Sequence, residues 1–516
     1  MVKRGCPGPR RSAPAGGNRL RPLPATEIEV ATVKPLLSLV FALLLPVSVF
    51  AAGAPPQAGR PNILWLIAED MSPHFGCYGD PTVRTPEVDR LAAEGTLFER
   101  AFTTGPICSP SRSALITGMF QTSIGAHHHR SGIGKEKIQL PPGVELVPRL
   151  FQRAGYYTSN GGYHPAQKKG KTDYNFEYDP LVYDGPDWAG RKPGQPFFAE
   201  IQLLGGKTRD LPAELAKARQ QLGSATPAEK LPLPPYYPRT PAILEDWAAT
   251  LDAVRITDRH VGEIVARLEK EGILAQTVIF FVSDHGVSHA RGKQFLYDEG
   301  THIPFVARGP GIPAGKRRAD LIQQIDLAAM SLALAGIPIP GNMQARNALA
   351  SDYRPREAVF AARDRADETV DHIRSVRTER FKYVRNFLPL RPYLQPNAYK
   401  DHKPCLIALR AAEAAGGLDA VQRLLFAPTR PAEELYDLAS DPWEVRNLAA
   451  DPAHAAELRQ LRSRLENWME LTNDQGRTPE SESRYDSDMA VYVGRKGNPE
   501  IAKNIALMKQ WAREGK

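Results

Sequence analysis

The sequence is poor in cysteine, with only four in 516 residues, at positions 6, 77, 108 and 405. So small and scattered a set argues against a disulfide framework and a zinc cluster, although one Cys77–Cys405 pair stays open in an oxidising compartment. The chain also lacks basic clusters interleaved with stacking aromatic residues, and its formal net charge of +8 is small for its length. Nucleic-acid binding is therefore not expected, whereas the mild positive charge is compatible with acidic substrates.

Long hydrophobic runs are also scarce, and the clearest one lies near the N-terminus. Residues 35–50 read PLLSLVFALLLPVSVF and are followed by AAGA. The run is short for a membrane-spanning helix, so we expect a signal peptide region over residues 1–51, cut near Ala51. This predicts export to the periplasm or the extracellular space, without stable membrane insertion after cleavage; an N-terminal membrane anchor is the alternative.

The stretch before this run is unusual for a signal peptide. It is long, rich in proline, glycine and arginine, and carries Glu27 and Glu29, whereas the start of a signal peptide is normally short and basic. We hypothesise that translation begins at Val33 and that residues 1–32 are a start-site artefact.

From residue 60 onward, apolar runs alternate with amphipathic segments. NILWLIA and TVIFFVS are continuous apolar runs, typical of strands buried on both faces, and residues 243–271 have the spacing of a long amphipathic helix. The pattern predicts an α/β fold with a large, mostly parallel sheet sandwiched by helices. We expect a large domain over residues 60–370, with a surface excursion at 205–241. A smaller C-terminal α+β domain is expected over 371–480, and a peripheral tail over 481–516.

Two acidic pairs directly follow the two most apolar strands. Glu69 and Asp70 come after NILWLIA, and Asp284 and His285 come after TVIFFVS. Because ligands bind beyond the carboxyl ends of parallel strands, both pairs should emerge at the same edge of the sheet. Three carboxylates and an imidazole brought together there would repel one another without a cation, and oxygen-rich ligation favours Ca²⁺ or Mg²⁺. The alternative for either pair alone is that it caps a following helix or loop.

A third feature is the segment CSPSRSALITG at residues 108–118. Helical character from Ser113 onward would put Cys108 close to a helix N-terminus, where anions bind, and Arg112 would add a guanidinium suited to sulfate or phosphate. On spacing alone, Cys108 could equally be an ordinary thiol of low pKa.

This segment resembles the signature of a known family. Cys108, Pro110 and Arg112 match the C-x-P-x-R core of the sulfatases, and LITG extends the match. The resemblance continues through the acidic pairs, the SDHG after the late strand and the terminal run ELYDLASDPWEVRNL. Within that family, CSPSR and RSVRTERFKYVRN look most similar to heparan N-sulfatase (sulfamidase) and its bacterial relatives.

The resemblance implies a fold like that of alkaline phosphatase, with a smaller C-terminal α+β domain, and a mechanism. A separate maturation system would oxidise Cys108 to formylglycine, whose hydrate, close to Arg112 and to calcium, attacks sulfur and then releases sulfate by collapsing to the aldehyde. Six further residues match family motifs. Four of them match the calcium ligands, Glu69, Asp70, Asp284 and His285, to which the modified Cys108 would add its own oxygen. The other two, Lys171 and Lys293, match the lysines that bind the sulfate.

The sequence departs from the family pattern at several positions. Many sulfatases have Asp where this chain has Glu69 and Asn where it has His285, so the metal site is expected to be unusual. A family histidine is replaced by Asp173, and another is missing from the segment PFFAEIQLLGGK, which ends at Lys207. The general acid is therefore open, with His289 as the first candidate and Lys293 as the second.

Sugar contacts are expected from loops at the carboxyl edge of the sheet. The candidates are the HHHR run at 127–130, in particular His127 and His129, together with Lys207 and residues at the start of the C-terminal domain, Arg374, Arg377 and Asn386. For the HHHR run, a solvated loop is the alternative interpretation.

Three functions stay in competition at this point. The first is a sulfatase acting on a sulfated glycan, O- or N-linked. The second is a related hydrolase of phosphonate monoesters or phosphodiesters. The third is a secreted glycan-binding protein with a decayed site, against which the retention of Cys108, Arg112 and all metal-capable residues argues.

Overall fold

The computed structural model describes residues 59–163 and 169–516. The expected signal peptide, its cleavage site and the alternative start at Val33 lie outside the described residues. Within the described ranges, no helix combines the length and apolar character needed to cross a membrane.

The larger of two sheets has eight strands. They are β1 Asn62–Ala68, β2 Thr96–Phe102, β3 Tyr157–Gly162, β4 Phe197–Leu203, β5 Thr277–Ser283, β6 His302–Ile303, β7 Phe305–Arg308 and β8 Lys316–Gln323. The strand order is β3-β4-β1-β5-β7-β2-β6, with β8 also paired to β2. Strands β3, β4, β1 and β5 run parallel, whereas β7 is antiparallel to both β5 and β2. The sheet is therefore mixed, and the predicted fold class is confirmed.

Strand β1 shows why the centre of this sheet is apolar on both faces. Ile63, Trp65 and Ile67 enter one buried cluster, and the alternate residues Leu64 and Leu66 enter the other. Side chains alternate across a strand, so an unbroken apolar run supplies both layers at once. Its register with β5, from Asn62 opposite Thr277 to Ala68 opposite Ser283, brings the ends of the two strands level.

Helices cover both faces of the sheet. Those before the second sheet are α1 Pro86–Ala93, α2 Cys108–Thr117, α3 Val147–Arg153, α4 Lys207–Asp210, α5 Pro212–Leu222, α6 Pro241–Lys270, α7 Asp298–Thr301 and α8 Asp326–Leu334. Helix α6 is the long amphipathic helix expected from the sequence, capped by Thr240, whose hydroxyl accepts from the backbone N–H of Ile243. The expected surface excursion at 205–241 contributes to the core through the buried Ala218, Tyr236 and Tyr237.

The second sheet is antiparallel and has the order β12-β11-β10-β9. Its strands are β9 Val359–Arg363, β10 Ile373–Arg377, β11 Phe381–Asn386 and β12 Glu433–Asp437, so it begins before the expected boundary at 370. The accompanying helices are α9 Pro404–Ala414, α10 Ala420–Arg423, α11 Ala455–Leu471, α12 Glu482–Lys496 and α13 Pro499–Arg513. The expected peripheral tail thus holds α12 and α13, which bury Tyr485, Met489 and Tyr492 in a small cluster that Ala398 joins.

Candidate active site

The ends of β1 and β5 meet through the backbone. The N–H of Asp284 donates to the carbonyl of Ala68 at 2.9 Å, and the N–H of Asp70 donates to Oδ1 of Asp284 at 3.0 Å. Asp70 has a φ of 54°, a left-handed conformation that is unfavourable for a residue other than glycine. The Asp70 and Asp284 side chains are therefore fixed side by side, at the edge where the sequence predicted them.

Cys108 is the first residue of α2, and the helix starts earlier than the sequence indicated. Every residue of this helix is buried, and Cys108 itself is 4% exposed. Its Sγ lies 3.3 Å from Nε2 of His285 and 3.0 Å from Nζ of Lys293. The backbone N–H groups at the start of α2 add positive potential at the same place.

Arg112 lies one turn further along α2 and spans the site. Its Nε donates to Oδ2 of Asp284 at 3.1 Å, and its Nη1 donates to Oε1 of Gln202 at 2.6 Å. Its Nη2 lies 3.9 Å from Oε1 of Glu69 and is buried without a hydrogen-bond partner among the described residues. Sequence reasoning missed Gln202; its signal was the pair Glu200 and Gln202, two polar residues on the same face of the otherwise apolar β4.

Three lysines neutralise the carboxylates. Nζ of Lys293 lies 3.0 Å from Oδ1 of Asp70, and Nζ of Lys207 lies 2.7 Å from Oδ2 of the same residue. Nζ of Lys171 lies 2.8 Å from Oε2 of Glu69. Together with Arg112, the lysines place four permanent cations among these carboxylates, and Lys171 and Lys207 also lie 3.6 and 3.7 Å from Asp173 and Asp210. A bound divalent cation would shift this balance toward an anionic ligand.

Neighbouring charges shift the pKa values of Cys108 and Asp70. Burial would raise the pKa of Cys108, but the ammonium groups of Lys171 and Lys293 outweigh it and lower this pKa to about 7. Burial likewise opposes ionisation of Asp70, yet Lys207, Lys293 and His285 hold its pKa well below the usual range. The thiol is thus poised near neutrality, and the carboxylate stays ionised.

Asp70, Cys108, Asp284 and His285 form the group that could hold a metal ion, with candidate ligand atoms all within 4.8 Å of one another. The group is buried, and its two carboxylates suit a hard divalent cation once residue 108 offers oxygen in place of sulfur. Glu69, expected as a fourth ligand, is not part of this group and faces Lys171. The donor set therefore fits the expected Ca²⁺ or Mg²⁺ through three residues and position 108.

Glycines bring the end of β4 onto the same acids. A Cβ on Gly205, whose φ is 55°, would lie 2.3 Å from the carbonyl oxygen of Glu69, and the N–H of Gly206 donates to that oxygen at 2.7 Å. This close approach, which only glycine permits, places Lys207 on Asp70. Tyr399, which sequence reasoning missed, covers the pair: its hydroxyl lies 3.5 Å from Oδ2 of Asp70, and its ring centroid lies 4.7 Å from Nζ of Lys207.

His129 lies at the site through the neighbour of the nucleophile. Its Nδ1 is 2.8 Å from Oγ of Ser109, and its Nε2 is 3.6 Å from Oδ1 of Asp367. The backbone N–H of Arg130 donates to the same Ser109 oxygen at 2.9 Å. The HHHR run is thus not a solvated loop, and its last two residues are anchored beside Cys108.

His289, the first candidate for the general acid, occupies a different cluster. Its ring stacks on Trp247 with centroids 4.7 Å apart, and its Nε2 lies 3.1 Å from the Thr250 hydroxyl and 3.4 Å from Oδ2 of Asp246. On its other side, Nδ1 lies 3.6 Å from Oε1 of Glu299. These contacts tie His289 to the packing of α6 and correct the sequence prediction, leaving Lys293 as the candidate in contact with residue 108.

The expected sugar contacts in the C-terminal domain are also corrected. Arg374 is fully buried between Asp364 and Asp474, at 3.1 and 2.6 Å, and Asn386 is buried against Glu434. Arg377 pairs with Asp298 at 3.3 Å. Each of these side chains is bonded to an acidic residue of the protein itself that is distant in sequence. They are therefore not placed to contact a sugar.

His127 belongs with this buried set and not with the residues at Cys108. Burial, followed by the charge of Arg374, lowers its pKa to about 3. His127 is thus buried, its Nδ1 has no hydrogen-bond partner among the described residues, and its role in substrate binding stays a prediction. Cys77 and Cys405, the optional disulfide pair, are both free thiols.

The arrangement combines a buried cysteine at a helix N-terminus, a group of side chains that could hold a metal ion and fixed cations around both. The sulfatase family profile matches residues 61–337, and a profile of the N-sulphoglucosamine sulphohydrolase C-terminal region matches residues 285–393. The chain therefore belongs to the sulfatase family and is an enzyme of that family, with sulfamidase-like features in its C-terminal part.

Two curated relatives cover most of the chain. An ulvan-active sulfatase of Formosa agariphila is 32% identical over 467 residues, which span 82% of this chain and 77% of the relative. The human N-sulphoglucosamine sulphohydrolase is 26% identical over 471 residues, which span 80% of this chain and 90% of the relative.

Solved structures share the fold at low sequence identity. A protein of Bacteroides thetaiotaomicron assigned as a sulfatase has a TM-score of 0.59 at 19% identity, covering 83% of this chain and 96% of its own. A structure solved with its substrate D-glucosamine-2-N,6-O-disulfate has a TM-score of 0.56 at 18% identity, covering 81% and 99%. The phosphonate monoester hydrolase of Silicibacter pomeroyi has a TM-score of 0.54 at 17% identity, covering 80% and 96%.

Proposed function

We propose that this enzyme hydrolyses sulfate esters or sulfamates on sulfated glycans, using formylglycine made from Cys108 as the nucleophile. The observation that carries the proposal is the placement of Cys108 at the start of the buried α2, with Lys293 at 3.0 Å and His285 at 3.3 Å. A thiol needs no such surroundings to pack in a core, whereas a group that attacks an anionic ester does.

Maturation converts the side chain of residue 108 from a thiol to an aldehyde. In the net balance, water supplies the oxygen, sulfur leaves as hydrogen sulfide, and two electrons and two protons pass to the oxidant of a separate formylglycine-generating system. Hydration of the aldehyde then gives two hydroxyl groups on one carbon.

Asp70, Asp284, His285 and the oxygen of residue 108 would hold Ca²⁺ or Mg²⁺, with Glu69 available as a neighbouring carboxylate. Such a cation supplies Lewis acidity, which lowers the pKa of a hydroxyl at residue 108. Arg112 keeps Asp284 in place from behind, through its 3.1 Å hydrogen bond.

The reaction then needs two steps. One hydroxyl of residue 108 loses its proton to solvent and attacks sulfur, and the bond from sulfur to the sugar oxygen or nitrogen breaks in line, while Lys171, Lys207 and Lys293 neutralise the sulfate oxygens. The leaving atom takes a proton, for which Lys293 is the nearest candidate donor. The second hydroxyl then loses its proton, the carbonyl re-forms, and the carbon–oxygen bond to sulfate breaks, so that water never has to attack sulfur.

Terminal sulfated sugars of acidic polysaccharides are the proposed substrates, with N-sulfated glucosamine as the leading single candidate. The match to the sulphohydrolase C-terminal profile and the likeness to the human sulphohydrolase support this choice. Such substrates also agree with the proposed export to the periplasm or the extracellular space.

Phosphonate monoester or phosphodiester hydrolysis is the second candidate function. The likeness in fold to the phosphonate monoester hydrolase of Silicibacter pomeroyi favours it. The fixed cations around Cys108 serve phosphonates as well as sulfates, so substrate turnover has to decide between them. A decayed glycan-binding protein is disfavoured, because the nucleophile position and its cations are all present.

The test is a panel of defined heparin, chondroitin, fucan and carrageenan oligosaccharides, read by mass for loss of sulfate. An aryl sulfate and an aryl phosphonate are run beside it, and Cys108→Ala is the matched inactive protein. We expect sulfate release from at least one oligosaccharide, and none from the variant. No oligosaccharide turnover together with good phosphonate turnover would establish the second function instead.

A further inference from the structure

Arg130 is placed beside the nucleophile and is open to solvent. Its backbone N–H donates to Oγ of Ser109 at 2.9 Å, directly next to Cys108. Its side chain is 30% exposed, whereas the side chains of Arg112 and Lys293 are 3% exposed. Arg130 is therefore a cation close to Cys108 that is more exposed to solvent than Arg112 and Lys293.

The guanidinium is held in place from one side. Its Nη1 donates to Oδ1 of Asp367 at 2.7 Å, and Asp367 is 3% exposed. Its Cζ lies 5.4 Å from the ring centroid of Tyr492, which α12 supplies. Residues from two separate parts of the chain thus fix the orientation of this side chain.

The backbone at both ends of this ion pair is in an unfavourable conformation. Arg130 has a φ of 55° and Asp367 a φ of 52°, values that side chains other than glycine rarely adopt. Strained conformations of this kind persist where the surroundings impose them, and they cluster at sites that bind ligands.

Most of the donor capacity of Arg130 is not used by the described residues. A guanidinium carries five N–H donors, and within residues 59–163 and 169–516 the side chain of Arg130 uses one, toward Asp367. Its planar fork matches a carboxylate or a sulfate through two parallel hydrogen bonds. The side chain thus has donors available for a second oxyanion.

We propose that Arg130 recognises a second oxyanion of the glycan, a carboxylate or a further sulfate, while the scissile sulfate occupies the site at Cys108. This inference rests on the proposed function and narrows it to substrates that carry two anionic groups near the cleaved bond. Asp367 and Tyr492 are positioning residues in this arrangement, since they act through Arg130.

The test measures affinity, so that it does not depend on turnover. The full chain carrying Cys108→Ala is titrated by calorimetry, in the presence of Ca²⁺, with oligosaccharides that bear one terminal sulfate. One arm compares a uronate-containing ligand with its carboxyl-reduced form, and the other compares a disulfated ligand with its monosulfated form. With Arg130 present, we expect the doubly anionic ligand of one arm to bind about 10- to 100-fold more tightly.

Arg130→Gln should reduce that preference to about threefold or less, and Arg130→Lys should retain part of it, because the charge remains without the fork. Arg149→Gln is the matched control: Arg149 is also partly exposed, at 34%, and pairs with Asp179 at 2.6 Å, and its loss should leave the preference intact. The arm that shows the preference identifies the second oxyanion.

Three results would overturn the inference: no preference in either arm, a preference that survives Arg130→Gln, or an equal loss of affinity for both ligands. The last would mark Arg130 as a structural residue. Failure of the proposed function has a separate sign, namely that the protein with Cys108 intact releases no sulfate from any oligosaccharide while these affinities are measurable.

Discussion

Replacing Lys293 probes the step in which the sugar atom leaves. Its Nζ lies 3.0 Å from Sγ of Cys108 and 3.0 Å from Oδ1 of Asp70, and the side chain is 3% exposed. Opposite unit charges about 4 Å apart interact by about 4 kcal/mol at an effective dielectric constant of about 20. A leaving atom carries only part of a charge in the transition state, so we assign about 2 to 4 kcal/mol to Lys293.

This energy corresponds to a fall in kcat of about 30- to 1,000-fold for Lys293→Ala. KM should change less, because Lys171 and Lys207 still hold the sulfate in the ground state. Lys293→Met keeps the apolar stem and should behave alike, whereas Lys509→Ala removes an ion-paired surface lysine and should have no effect.

The assay compares steady-state hydrolysis of a sugar sulfate with that of an aryl sulfate. A sugar alkoxide is the poorer leaving group and needs the proton more, so its kcat should fall further. A loss confined to KM, or equal losses for the two leaving groups, would refute the assignment of Lys293 as proton donor. Thermal unfolding of each variant checks that the fold is retained.

Three further perturbations test the other assignments. Cys108→Ala should abolish turnover and leave the midpoint of thermal unfolding nearly unchanged. Peptide mass analysis of active protein should find residue 108 lighter than cysteine by the difference between a thiol and an aldehyde. Active protein that carries only the unmodified thiol would contradict the mechanism. Chelation should abolish activity, and Ca²⁺ or Mg²⁺ should restore it better than Zn²⁺. The Asp284→Asn variant should bind the metal less well and turn over more slowly. Full activity of the metal-free protein would reject the proposed metal site. The pKa of His127 is about 3 when folded and about 6.5 when unfolded, so the unfolded chain binds the extra proton between these values. His127 should therefore contribute a fall of about 2 kcal/mol in the free energy of unfolding from pH 7 to pH 5. Other buried histidines titrate in the same direction, so His127→Gln should reduce the slope in urea titrations by this share and leave the rest.

The layout of the catalytic edge was predictable from the sequence because it depends on local patterns. Two unbroken apolar runs end in acids, and adjacent parallel strands place such ends together; Asp70 and Asp284 lie accordingly. The lysine after the two glycines, Lys207, was expected at the substrate, and the structure places it on the acid after the first of these runs.

The errors arose where function was assigned without knowledge of distant partners. Proximity in sequence to Lys293 made His289 a candidate acid, yet its ring packs on Trp247 of α6. Arg374 was assigned to the sugar because arginine binds anions, but its anion is Asp474, 100 residues away. No local pattern indicates such pairings, since they depend on how the C-terminal sheet meets its helices.

The complete burial of α2 determines when, relative to folding, Cys108 can be oxidised. A helix with all ten residues inside the fold exposes little of its first side chain, and Cys108 is 4% accessible. A maturation enzyme needs an extended peptide if it has to bind several residues around this cysteine. The folded chain does not offer such a peptide. The proposed oxidation must therefore come before this domain closes, so newly made chains that fold first would be trapped as stable, inactive thiols.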